Sequence, residues 1–79
     1  MNIEYEKKMG NNIRQLRLYY ELTQDQLSAK LQTHGIDITR SALAKIEVGQ
    51  RHIYPDEIKA IKEILNISYD QIFPEDYKV

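Results

Sequence analysis

Helix-start signals punctuate this chain four times, and nothing between them alternates as a strand does. Thr23-Gln24-Asp25-Gln26 has the spacing of a capping box, in which a threonine hydroxyl and a glutamine three residues on satisfy each other's exposed backbone N–H groups. Thr39 is a good N-cap for the segment that follows it. Tyr54-Pro55-Asp56-Glu57 sets proline at a first helical position with two acids in the first turn. Ser68-Tyr69-Asp70-Gln71 repeats the capping-box spacing, and Pro74 stops what it starts. No segment alternates apolar and polar residues over more than four positions. The chain must therefore fold by packing helices on helices, and the expectation is an all-α, compact five-helix bundle.

The apolar spacing supplies the faces. Met9, Ile13, Leu16 and Tyr20 recur in steps of four and three, which predicts a first helix over roughly residues 5–21 with these four inward. Leu27 and Leu31 face inward on the second helix, which ends near Gly35, and Ile36-Asp37-Ile38 reads as an extended connector. Leu43 and Ile46 are the buried pair of the third helix, with Ala42 and Ala44 allowing close approach and Gly49 closing it. Ile58, Ile61 and Leu65 are inward on the fourth, and Ile72 and Phe73 on a short fifth. Tyr19, Tyr20, Tyr54 and Tyr69 fall at helix ends and junctions, where a ring with a wet hydroxyl is expected to serve the core or an interface.

Seventy-nine residues make one domain with little depth for a buried catalytic pocket. The sequence holds no cysteine, so disulfides, thiolate-bound zinc and thiol nucleophiles are excluded. His34 and His52 lie eighteen residues apart with no acid at ligand spacing, and no metal site or other cofactor is expected. No serine–histidine–acid order or glycine-rich phosphate loop is present, so the expected function is binding, with no catalytic residues. No apolar run suits a signal peptide or a membrane span, which points to a cytoplasmic protein. The net charge of −1 argues mildly against a nucleic-acid partner, but it is unevenly spread. Residues 1–22 set Lys7, Lys8, Arg14 and Arg17 against Glu4, Glu6 and Glu21, net +1, and residues 23–53 set Lys30, Arg40, Lys45 and Arg51 against Asp25, Asp37 and Glu47, also +1. The acidity lies in residues 54–79, where Lys59, Lys62 and Lys78 meet six acids, net −3.

Four segments in this order carry a family resemblance: Ile13-Arg14-Gln15-Leu16-Arg17, Leu22-Thr23-Gln24-Asp25-Gln26-Leu27-Ser28, Ile46-Glu47-Val48-Gly49-Gln50-Arg51, and Leu65-Asn66-Ile67-Ser68-Tyr69-Asp70-Gln71-Ile72-Phe73. The chain resembles the Cro and phage-repressor type of helix-turn-helix proteins, the xenobiotic-response-element family, over about residues 9–73. That leaves 1–8 as an extension of the first helix and 74–79 as a tail.

The resemblance implies a lambda-repressor-like fold and a sequence-specific regulator of transcription, most simply a repressor. Such a protein lays its third helix in the major groove of double-stranded DNA, as a homodimer associated with the nucleoid. It implies that Gln24 bonds a DNA phosphate with help from Thr23. Arg40, Ser41 and Lys45 match the base-reading positions, flanked by Thr39 and Ala42, and arginine and lysine are the usual readers of guanine edges. Gln50 and Arg51 match phosphate contacts in the loop after the third helix, with His52 nearby. Arg17 and Glu47 match a salt bridge joining the first helix to the end of the third.

Fifteen residues separate Leu31 from Glu47, where the commonest family pattern has about ten. The turn before the reading helix is therefore enlarged around residues 32–38, next to His34 and Asp37. Ile67, Tyr69, Ile72, Phe73 and Tyr77 are the expected dimer surface. The competing reading is a helix-turn-helix used for protein contact, as in an antirepressor or antitoxin, which the acidic, tyrosine-bearing C-terminal part favours.

Overall fold

The computed structural model describes residues 2–74, and among them every regular element is a helix. Five follow in order: α1 (Ile3–Tyr19), α2 (Gln24–Thr33), α3 (Arg40–Glu47), α4 (Pro55–Leu65) and α5 (Tyr69–Ile72). Their starts follow the local chemistry. Thr23 Oγ1 accepts from the Gln26 N–H at 3.1 Å and Gln26 Oε1 accepts from the Thr23 N–H at 2.8 Å, a closed capping box. Thr39 Oγ1 accepts from the Ala42 N–H at 3.1 Å. At α4 and α5 the residue three beyond the cap returns to the backbone, Glu57 to the Tyr54 N–H and Gln71 to the Ser68 N–H.

α1 differs from its expected bounds at both ends. Asn2 Oδ1 caps it through the Tyr5 N–H, so the helix begins two residues earlier than the apolar spacing suggested. It stops at Tyr19 because Glu21 turns into the left-handed region at φ 57°, and the Leu22 N–H folds back onto the Arg17 carbonyl at 3.0 Å. This is the Schellman arrangement with a glutamate in the position glycine usually takes.

The core collects Met9 and Ile13 of α1, Leu27 and Leu31 of α2, Leu43 and Ile46 of α3, Ile58, Ile61 and Leu65 of α4 and Ile72 of α5. Ile38, Ile53 and Ile67 from the connections complete it. Three groups depart from expectation. Leu16 is half-buried, while Phe73, Tyr20, Tyr69, Tyr54 and Tyr19 are exposed, from 37% for Phe73 to 78% for Tyr19. Ile67 and Ile72 lie in the core at 7% and 0% and cannot belong to a dimer surface, because five short helices leave few other apolar residues to close the bundle's end. Tyr77 lies outside the described residues.

α1 and α3 touch through backbone. A Cβ on Gly10 would stand 2.1 Å from the Ile46 carbonyl oxygen, so only glycine permits this approach. Beside it, Arg17 Nε donates to Glu47 Oε2 at 2.7 Å and its terminal nitrogen to Oε1 at 3.0 Å, both side chains being almost wholly buried. Arg17 also donates to the Leu22 carbonyl at 2.7 Å, so the one guanidinium ties α3, the end of α1 and the start of α2 together. The α2–α3 turn is large but anchored. Ile38 plugs it into the core, and the buried Ser28 hydroxyl donates to the Ile38 carbonyl at 2.6 Å, with Gln32 adding a longer bond at 3.3 Å.

Candidate nucleic-acid interface

α3 presents two chemically different sides. Leu43, Ile46 and Glu47 are buried, while Arg40, Ser41 and Lys45 stand on the exposed side. Thr39 is exposed at the helix start, with its hydroxyl committed to the cap. Ala42 is half-buried against the core, so of the expected reading residues it is the one turned inward.

The start of α2 lies across this helix. Gln24 Nε2 donates to Glu47 Oε1 at 3.1 Å, near the C-terminal end of α3, and the next residue, Asp25, stands 3.7 Å from Arg40 Nε at the N-terminal end. An eight-residue helix is only about 12 Å long, so two neighbouring side chains of α2 reach both of its ends. Glu47 thus serves Arg17 with both oxygens and Gln24 with one of them. A primary amide carries two N–H groups; with one on Glu47, the other remains available to Gln24 for an acceptor outside. Thr23, exposed at the same end, is committed to its capping box.

Gln50 is exposed in the loop after α3, and Arg51 is half-buried beside it. Arg51 forms a two-pronged pair with Glu57, both bonds at 3.0 Å, and also donates to the His52 carbonyl at 2.9 Å. Burial pushes the Glu57 carboxyl up, but the Arg51 hydrogen bonds, the Tyr54 N–H and the nearby positive charge outweigh it and hold the group below its usual value. The hydrogen bonds it donates to Glu57 push the Arg51 guanidinium up. Arg51 also lies 5.9 Å from the centre of the Tyr54 ring. His52, set beside Arg51 as a further cation, instead has its Nδ1 2.6 Å from Glu6 Oε1 and its ring edge-on to Tyr54. The loop is therefore pinned to α1 and α4.

Of the expected set, Thr23 and Gln24 lie at the head of α2, Thr39, Arg40, Ser41 and Lys45 are exposed along α3, Gln50 and Arg51 follow its C-terminal end, and Ala42 is turned inward. The sequence reading missed the acids that organise it. Glu57 was read only as a first-turn acid of α4, although its spacing of six from Arg51 across a Pro-started helix was the available signal. Asp25 was read only as part of the capping box. Among the described residues no group of three or more potential metal ligands occurs, and no helix is long and apolar enough to cross a membrane.

Comparison with known proteins adds two findings. A family model described as Helix-turn-helix matches residues 13–72. The fold is similar to the crystal structure of the DNA-binding domain of BldD, with a TM-score of 0.79 and 19% sequence identity, over 94% of this chain and 100% of that one. No curated protein matches the sequence.

Proposed function

From the premise that the chain belongs to the Helix-turn-helix family, we propose that it is a sequence-specific double-stranded DNA-binding regulator of transcription, acting as a repressor, which inserts α3 into the major groove. The observation that carries this reading is the division of α3: Arg40, Ser41 and Lys45 are exposed together on a helix whose other side is fixed to α1 by Gly10 and the Arg17–Glu47 pair. A short helix held rigidly on one side and polar on the other is suited to reading base edges. The similar fold of a DNA-binding domain supports it.

In this reading Arg40 and Lys45 contact bases with Ser41 and Thr39 beside them, and the second Gln24 N–H meets a phosphate with Thr23 nearby. Gln50 and the outer edge of Arg51 contact the backbone, with Arg51 aimed by Glu57. Few cations serve this side, so counterion release is small and a single copy binds weakly. A homodimer on half-sites about 34 Å apart then supplies the affinity. Its surface is proposed at Leu18, Tyr19, Tyr20, Tyr69 and Phe73, which are exposed around the groove between α1 and α5. The same patch favours the second reading, a module that contacts another protein.

The test is a mobility shift on duplexes selected from a random pool. Binding should weaken as salt rises, with the shallow slope that few phosphate contacts give, and fall at least tenfold in the Arg40→Ala, Lys45→Ala double variant. Unchanged affinity and site preference in that variant would remove α3 as the reading helix. No binding at 50 mM salt, with a co-purifying protein, would favour the protein-contact reading.

A further inference from the structure

Asp25 brings a negative charge to the one place on this surface where it is least expected, beside Arg40 at the head of α3. Both side chains are open to solvent, at 76% and 66%, and their 3.7 Å separation is that of a loose ion pair. An exposed pair of this kind adds little to folding; Asp25 also sits in the first turn of α2, where an acid suits the helix start whether or not Arg40 is near. The atom of Arg40 paired with Asp25 is Nε, not one of the two nitrogens of the terminal edge. That edge is the fork that binds guanine O6 and N7.

We infer that Asp25 is a specificity-determining residue: it positions the Arg40 fork for guanine and, by repelling phosphate, penalises every DNA sequence that does not give the fork its partner. The inference rests on the DNA-binding reading above. On a cognate site the attraction of Arg40 for the base edge and the orientation supplied by Asp25 act together. On other sequences Arg40 has no base partner to offset the carboxylate, and without Asp25 it would swing to the nearest phosphate. The neighbouring Gln24 is anchored inward on Glu47, so the two side chains divide the work at the head of α2, one on the scaffold and one on the reader.

The experiment compares dissociation constants of the full chain for a duplex selected from a random pool and for a scrambled duplex of the same length, at several salt concentrations. Asp25→Asn should tighten binding to the scrambled duplex and lower the ratio of the two constants about tenfold, toward the low end of what one arginine–guanine pair discriminates. Asp25→Glu should largely restore the ratio. Asp37→Asn removes the same charge from the exposed connector before α3 and should shift both constants alike. In the Arg40→Ala background, Asp25→Asn should no longer change the ratio. A ratio unaltered by Asp25→Asn, in a wild type that discriminates, would overturn the role of Asp25 alone. Failure of the wild type to bind either duplex would instead remove the DNA reading, and this inference with it.

Discussion

The two ends of α3 follow opposite rules. At its C-terminal end the Ile46 carbonyl lies against Gly10, and Glu47 is buried with Arg17; a single added methyl group would collide with backbone. At its N-terminal end Arg40 and Ser41 face solvent, and the Arg40 side chain is met by Asp25 across 3.7 Å of open surface. The same eight residues therefore hold a position and offer an open polar surface, the one proposed to read DNA. Side chains can vary at one end because backbone geometry is fixed at the other.

The sharpest way to break that contrast is to unpair the buried end. Glu47→Ala leaves the Arg17 guanidinium buried without its acid and should cost about 3–5 kcal/mol, enough to threaten folding of a domain this small. Thermal unfolding followed by circular dichroism measures it, and an unchanged melting temperature in either Glu47→Ala or Arg17→Ala would show that the pair is not structural. Gly10→Ala should cost up to about 3 kcal/mol by forcing α1 and α3 apart, despite alanine's better helix propensity. Ser28→Ala tests the intermediate case. It strips the buried bond that anchors the enlarged turn and should cost about 1–2 kcal/mol, moderated by Gln32 on the same carbonyl.

Arg51 and Glu57 refine the comparison through pH. Because the folded state holds the Glu57 carboxyl below its usual value, its contribution is complete above the ordinary glutamate range, near 4.3, and is lost as acid takes pH down through the folded value. The pair is partly exposed, so this contribution is at most about 1 kcal/mol, and Glu57→Gln should flatten the acid limb of a stability–pH curve by that amount. At the open end, Arg40→Ala should change stability by less than about 0.5 kcal/mol while weakening DNA binding. A large loss of stability there would erase the distinction between the two ends.

What could be read from the sequence was what lies within four residues. The caps at Thr23, Thr39, Tyr54 and Ser68 all mark helix starts, because the bonds that make them join a side chain and a backbone group three residues apart, Thr23 and Thr39 accepting from further on and Glu57 and Gln71 accepting from the cap's own N–H. Burial was less legible. Leu27, Leu31, Leu43, Ile46, Ile58, Ile61, Leu65 and Ile72 go into the core from their helices as their positions suggest, whereas Ile67, in a connection, is in the core by virtue of distant helices that no local window contains. For the tyrosines the sequence left core and interface open, and their exposure removes the core alternative. In the candidate site the exposed cations were visible as a pattern, but their acidic partners were not. Ser28 and Ile38, ten residues apart, join only once the enlarged turn has closed.

Asn12, in the middle of α1, donates its side-chain N–H to the carbonyl of Ile72 at 3.0 Å, sixty residues away, and Ile72 itself is fully buried. Protein synthesis delivers Asn12 sixty residues before its partner. A nascent chain that has emerged as far as Leu65 already carries Gln24, Arg40 and Lys45 but still lacks Ile67 and Ile72 to close its core. A chain interrupted there thus carries the proposed contact residues without the scaffold that packs behind them, and such fragments expose their apolar faces to proteases. Placing a core residue in α5 makes a closed bundle a sign that translation has passed α5.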